Sequence, residues 1–180
     1  TSILLCALAM VGACRNAGTV SDTGSDVPVD ERALVEHEYI NHAWGYSHFG
    51  VVITADGRVH GYQWDRNDTP TAPLQGPLVS PKDLASKYAH NRKAIGFVSA
   101  DTLRMIQELI PKATKGTLTE RQSVGADMGQ HEYIAYVFDS KSKQYRKSTL
   151  RITGDWESSN TSPDAMRLAD ILNAVAQRAR

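Results

Sequence analysis

Apolar residues along the chain follow two periods, the alternation typical of strands and the three-to-four spacing of amphipathic helices. The clearest alternation flanks Asp56-Gly57, in the stretch FGVVITADGRVHGYQW at residues 49–64. Asp-Gly between two β-rich runs favours a two-residue type I′ hairpin, which would pair Ile53 with His60. The face expected to pack on the core then comprises Phe49, Val51, Ile53, His60, Tyr62 and Trp64.

A second hairpin is predicted further along the chain. HEYIAYVFD, at residues 131–139, carries apolar side chains at both parities, which is typical of a central strand covered on both faces. After a polar turn, YRKSTLRIT at residues 145–153 places Leu150 and Ile152 on one face and mostly polar residues elsewhere. This second strand is therefore expected nearer the edge of the sheet.

Three segments have helical spacing, at residues 81 to about 90, about 100 to 113, and 163 to about 176. Each follows a serine that fits an N-cap, namely Ser80, Ser99 or Ser162. Pro111 is expected to end or kink the second helix. The order of hairpin, two helices, hairpin and helix predicts an α+β fold, an antiparallel sheet built from two hairpins with helices packed on one side.

The first residues have the pattern of an export signal. Ile3 to Ala13 is an apolar run of eleven residues, too short to cross a bilayer as a helix and typical of the apolar region of a secretory signal. The run ends in VGAC at residues 11–14, after which the sequence turns polar. Because the chain begins at Thr1 without Met or a basic region, we expect the natural start upstream. An ordinary signal cut after Ala13, or a buried N-terminal helix, is the alternative.

VGAC resembles the lipobox of bacterial lipoproteins. The resemblance implies that residues 1–13 are a signal peptide and that Cys14 is acylated, with diacylglycerol and fatty acids such as palmitate, anchoring the protein to a membrane of the cell envelope. Arg15, in place of an aspartate, favours the outer membrane, facing the periplasm or the cell surface, in a cell with two membranes. Residues 14–30 then form the lipidated cysteine and a flexible tether, and residues 31–180 a single α+β domain.

The tether and the folded part differ in composition. RNAGTVSDTGSDVPVD, at residues 15–30, has too few apolar side chains to fold, and a flexible segment of this length spans about 20–24 Å. The folded part resembles small lipoprotein domains of bacterial envelopes that open with a strand carrying Asp-Gly-x-Val and end with a short helix. That resemblance implies no particular activity.

Charge and cysteine content exclude several classes of function. The chain has 20 Lys and Arg against 20 Asp and Glu, without the basic stripe of a nucleic-acid binder. Its two cysteines are Cys6, in the expected signal, and Cys14. A mature domain of this kind has no thiol nucleophile and no zinc-thiolate site. No cofactor is predicted.

Histidines suggest one possible centre of chemistry. Four of six lie within 24 residues, at His37, His42, His48 and His60. HEYINH resembles the zinc-protease motif His-Glu-x-x-His only in part, because Asn41 occupies the second ligand position. A looser site from His42, His48 and His60, with Asp65 or Glu38 as a further ligand, could still bind Zn²⁺ or Cu²⁺. Alternatively, His60 is a half-buried histidine bonded to backbone and the others are solvated.

Aromatic residues near these histidines suggest a binding surface. Trp44 and Tyr46 lie close in the sequence to the hairpin that carries Trp64, and exposed aromatic clusters bind sugars, peptides or proteins, although aromatics are more often core. For catalysis nothing converges: Phe49 breaks the Gly-x-Ser-x-Gly pattern around Ser47. No catalytic residue is predicted.

Two hypotheses follow. The leading one is a lipid-anchored, non-catalytic envelope module that recognises a protein or an envelope polymer, or supports an assembly. The alternative is a small envelope hydrolase assisted by a metal on the histidine cluster. The alternative requires at least three of the six histidines to converge within metal-ligand distance.

Overall fold

The computed structural model describes residues 32–43, 45–65, 74 and 76–179, so the predicted signal, Cys14 and the tether lie outside the described residues. The strands are β1 (Ala33–Asn41), β2 (Ser47–Thr54), β3 (Arg58–Trp64), β4 (Leu78–Val79), β5 (Lys93–Phe97), β6 (Gln122–Ser123), β7 (Gln130–Asp139), β8 (Gln144–Gly154) and β9 (Trp156–Ser159). The helices are α1 (Pro81–Ala89), α2 (Ala100–Ala113) and α3 (Pro163–Arg178).

The strands form one antiparallel sheet in the order β5-β3-β2-β1-β7-β8-β9-β6, with β4 beside β8. The two predicted hairpins are β2–β3 and β7–β8, and β1 joins them by pairing with both β2 and β7. Strand β8 lies one place nearer the edge than β7, as its polar pattern predicted. The predicted α+β class, an antiparallel sheet built from hairpins with the helices α2 and α3 packed on one side, is confirmed.

Apolar side chains cover the sheet on both faces. On one face, α2 and α3 pack over Val35 and Ile53 through residues such as Ile106 and Leu172. On the opposite face, a second core contains Val52, Ile134 and Tyr136 together with Leu84 and Tyr88 of the short helix α1. Alternate residues of the central strands therefore belong to two different cores.

The register of the first hairpin differs from the prediction by one residue on β3. Ile53 pairs with Val59 rather than with His60, because the loop has three residues, Ala55 to Gly57. Gly57 adopts a φ of 82°, the left-handed conformation that ends such a loop. Val51 and Ile53 keep their predicted face, whereas His60, Tyr62 and Trp64 lie on the opposite one.

The three helices begin where they were predicted. The side chains of Ser80 and Ser99 accept hydrogen bonds from the backbone N–H groups of Asp83 (3.1 Å) and Thr102 (3.2 Å), which satisfies donors in the first turns of α1 and α2. Pro111 lies in the last turn of α2, and the helix continues for two residues beyond it to Ala113. The helix therefore does not end at Pro111, and its bounds are those predicted from the sequence.

Candidate functional site

A carboxylate is fully buried at the centre of the sheet. Glu36, on β1, has 0% exposure, and four side chains donate hydrogen bonds to it. Tyr62 and Lys87 (2.9 Å) contact Oε1, while Tyr88 (3.1 Å) and Tyr136 (2.6 Å) contact Oε2. The protein thus replaces the water that a carboxylate would bind in solution with donors from β3, α1 and β7.

The network continues from Glu36 towards the surface. Lys87 also lies 2.7 Å from Glu38 Oε1, and the same oxygen lies 2.6 Å from His48 Nε2. The other ring nitrogen of His48 is 2.8 Å from the hydroxyl of Tyr46, which is partly exposed. The network, here named the buried cluster, comprises Glu36, Glu38, Tyr46, His48, Tyr62, Lys87, Tyr88 and Tyr136.

Mutual contacts fix the charges of the cluster. Burial alone would raise the pKa of Glu38, but the charge of Lys87 and the contacts of His48 bring it far below its ordinary value. Burial would likewise lower the pKa of Lys87, but Glu36 and Glu38 raise it above its ordinary value. Lys87 therefore remains a cation and Glu38 an anion across the physiological pH range.

The tyrosines of the cluster are held neutral. Burial raises the pKa of Tyr62 well above its ordinary value, and the Glu36 charge raises it further. The same two causes act on Tyr88 and Tyr136, and burial raises the pKa of Tyr46 to about 12. Each hydroxyl can therefore serve as a donor at neutral pH.

The arrangement favours a structural role over a chemical one. A general acid or base must come within hydrogen-bond reach of a substrate. Glu36, Glu38 and Lys87 are each at most 6% exposed and are engaged with one another. Breaking such a buried pair leaves an uncompensated charge, so the cluster fixes how α1 sits on the sheet.

The histidines predicted as metal ligands are not brought together. His48 belongs to the buried cluster. His60 is paired with Val52, which lies four residues after His48 on β2, and four residues of a strand span about 13 Å. His42 is exposed, with its ring 5.3 Å from that of Tyr46. Within the residues that the structure describes, no group of three His, Cys, Asp or Glu side chains could hold a metal ion.

Two other histidines form a pair on the opposite face of β1. Nε2 of His37 lies 3.0 Å from Nδ1 of His131, and the two rings stack with centroids 5.1 Å apart. Tyr133 and Tyr39 contact these rings at centroid distances of 4.9 and 4.6 Å, respectively. The pair is part of an aromatic layer that crosses β1 and β7.

The predicted aromatic binding residues have different positions. Trp44 lies outside the described residues. Trp64 is only 4% exposed and stacks on the rings of His48 (5.7 Å) and His90 (3.6 Å), so it is part of the second core rather than an exposed platform. Tyr46 contacts His48 at the rim of the same core.

Among the described residues, the large apolar side chain with the greatest exposure is Phe97 on the edge strand β5, a feature that the sequence did not predict. Phe97 is 72% exposed and Ile95 42%, and Met105 on α2 is also exposed. These side chains line an open groove of about 450 Å³ between β5 and the outer surfaces of α2 and α3, including Val175 and Arg178. We call it the β5 groove. The only sequence signal was the short apolar run AIGF between two helices.

A second, more polar cleft of about 810 Å³ adjoins the groove. It lies over the sheet near the end of α3, and its lining includes His37, Phe49, Gln63 and Lys93. Ile95 lines both depressions. The concave surface along β3 and β5 therefore changes from apolar at Phe97 to polar at Gln63.

Comparison with known proteins gives no relative: no protein-family model matches the chain, and no curated protein or solved structure matches it either. Of the described helices, none is both long and apolar enough to cross a membrane.

Proposed function

We propose that the protein is a lipid-anchored component of the bacterial cell envelope and acts as a non-catalytic binding or assembly module. The anchor rests on VGAC at residues 11–14 and on the polar tether that follows it. The binding role rests on the β5 groove, where Phe97 is 72% exposed at the edge of the sheet. Contiguous exposed apolar surface is typical of interaction sites.

The buried cluster supports this role over an enzymatic one. Its charged groups are buried and contact one another, as Lys87 contacts Glu36 and Glu38. Among the described residues the histidines also fail the requirement of the hydrolase hypothesis, since no three of them converge. The hydrolase is therefore not proposed.

Metabolic labelling with palmitate tests the anchor. Cells that produce the full precursor should incorporate label into the protein, and Cys14→Ser should abolish labelling and release the protein from the membrane fraction. Cys6→Ser is the matched control, because Cys6 leaves with the signal. Labelling that survives Cys14→Ser, or that Cys6→Ser removes, would contradict the proposal.

Site-specific photo-crosslinking in intact cells tests the binding role. A photoreactive residue at Phe97 should give a discrete adduct, whereas the same residue at Leu118, also exposed but outside the groove, should not. Equal adducts at both positions, or none at Phe97, would count against a binding site at the β5 groove.

A further inference from the structure

We propose that the β5 groove takes an extended segment of a partner protein, added to the sheet as a strand beside β5, in which every second residue faces the groove and these groove-facing residues are apolar with an acidic residue among them. This inference rests on the proposed binding function and names its partner. Strand addition at an exposed edge combines main-chain hydrogen bonds with pockets for alternate side chains.

The edge position of β5 supplies the main-chain part of the interaction. Strand β5 is the last in the sheet order and pairs, in the described part of the chain, with β3 alone. All five of its residues are exposed. Such an edge presents unpaired N–H and C=O groups, which pair with an added extended strand.

The shape of β5 directs its apolar side chains towards the groove. Its pairing is irregular between Val59 and His60, so that Ile95 stands between Ala94 and Gly96 without a partner of its own. A Cβ on Gly61 would lie only 2.9 Å from Ile95 Cδ1, so the isoleucine covers that glycine. Bulges of this kind re-aim side chains at edges and beside functional sites.

The groove offers apolar contacts on one side of an added strand. Phe97 and Met105 line it together with Val175 on α3. Because successive residues of a strand point to opposite sides, only every second side chain of the partner would enter the groove. The partner should therefore carry apolar residues at alternate positions.

Charge adds a second requirement on the face of the added strand that enters the groove. Among the side chains that line the groove, Arg178 is the one that carries a charge, and Lys93 lies at the start of β5. Because Arg178 lines the groove, an acidic side chain that pairs with it stands on the same face of the added strand as the apolar side chains. A second copy of β5 fits poorly, because RKAIGF at residues 92–97 has two cations and no acid, and self-pairing would gather four cations.

Selection from a displayed library of random nine-residue peptides against the full chain tests the proposal. Enriched peptides should carry apolar residues at every second position, with an acidic residue on the same face. Their synthetic versions should bind at least tenfold more weakly to Phe97→Ser and to Arg178→Glu than to the unaltered protein. Leu118→Ser is the matched control and should bind as the unaltered protein does.

Hydrogen exchange distinguishes strand addition from apolar contact alone, because only strand addition forms hydrogen bonds to the backbone amides of β5. A bound peptide should slow amide exchange within Lys93–Phe97. Three results would overturn the proposal: no enrichment, enrichment of basic peptides, or a concentration-dependent dimer that Phe97→Ser abolishes. Palmitate labelling at Cys14 together with a crosslink at Phe97, but without peptide binding, would refute the strand-addition proposal. The proposed function as an anchored binding module would then remain supported.

Discussion

The ammonium group of Lys87 lies 2.9 Å from a carboxylate oxygen of Glu36, and both side chains are at most 6% exposed. This contact ties helix α1 to the central strand β1. Glu38 shares the same ammonium group at 2.7 Å. One lysine thus neutralises part of the charge of two buried carboxylates and links helix α1 to both of them.

Replacing Lys87 should therefore be strongly destabilising. Lys87→Met keeps much of the side-chain length but leaves both carboxylates without their cation, and the expected loss in the free energy of unfolding is about 3–5 kcal/mol. Lys82→Met, on an exposed position of the same helix, should change it by less than about 0.5 kcal/mol. Urea denaturation measures both, and similar values for the two variants would refute a structural role for the cluster.

Removing a single tyrosine hydroxyl from Glu36 should cost less. Tyr136→Phe deletes the 2.6 Å donor to the buried carboxylate, with an expected loss of about 1.5–3 kcal/mol. On the same strand, Tyr133 donates at 3.1 Å to the neutral amide of Asn173, and Tyr133→Phe should cost only about 0.5–1.5 kcal/mol. A greater loss for Tyr133→Phe would show that Glu36 does not depend on this donor.

Acid should weaken the fold through Glu38. Because its pKa in the folded state lies far below the ordinary 4.5, its stabilising effect is present at neutral pH and is lost as the pH falls. The free energy of unfolding should decline below about pH 5. Glu38→Gln should be less stable at pH 7, and the difference from the unaltered protein should shrink towards pH 3. A difference that stays constant between pH 7 and pH 3 would contradict the shift.

The first hairpin should depend on Gly57. Its φ of 82° is unfavourable for residues with a Cβ, so Gly57→Ala should destabilise the fold by about 1–2 kcal/mol. Gly57→Asn should lose less, because asparagine tolerates this conformation. Thermal unfolding measures the stability of both variants. If Gly57→Asn loses as much stability as Gly57→Ala, or more, the cause is crowding rather than backbone conformation, because Leu103 Cδ2 would lie 3.3 Å from the new Cβ.

The hairpin also illustrates what sequence patterns determine. Asp56-Gly57 located the turn correctly, because its conformation is a local property. The loop length was wrong, because the N–H of Ala55 bonds to the carbonyl of Arg32 at 2.9 Å, a contact from outside the hairpin. One extra loop residue moved His60 and Trp64 to the other face of the sheet.

The buried cluster and the β5 groove could not be predicted from the sequence, for two different reasons. Strand β1 carries Glu36 and Glu38 at its centre, and charged residues obscure the alternation that identifies a strand. Their partners come from α1, β2, β3 and β7, so only the tertiary fold brings them together. Strand β5 is exposed throughout and therefore has no buried face to produce a pattern. By contrast, the starts of the three helices depend on local signals and were predicted well, although only Ser80 and Ser99, and not Ser162, cap their helices through the side chain.

Native mass spectrometry of the protein, extracted from membranes in mild detergent, tests the central proposal most directly, because one spectrum reports both the acyl groups and any retained metal. A lipid-anchored, non-catalytic module predicts a chain that begins at Cys14, carries diacylglycerol and fatty acyl mass, and holds no metal. An unmodified Cys14 would contradict the anchor, and a stoichiometric metal ion would contradict the non-catalytic role.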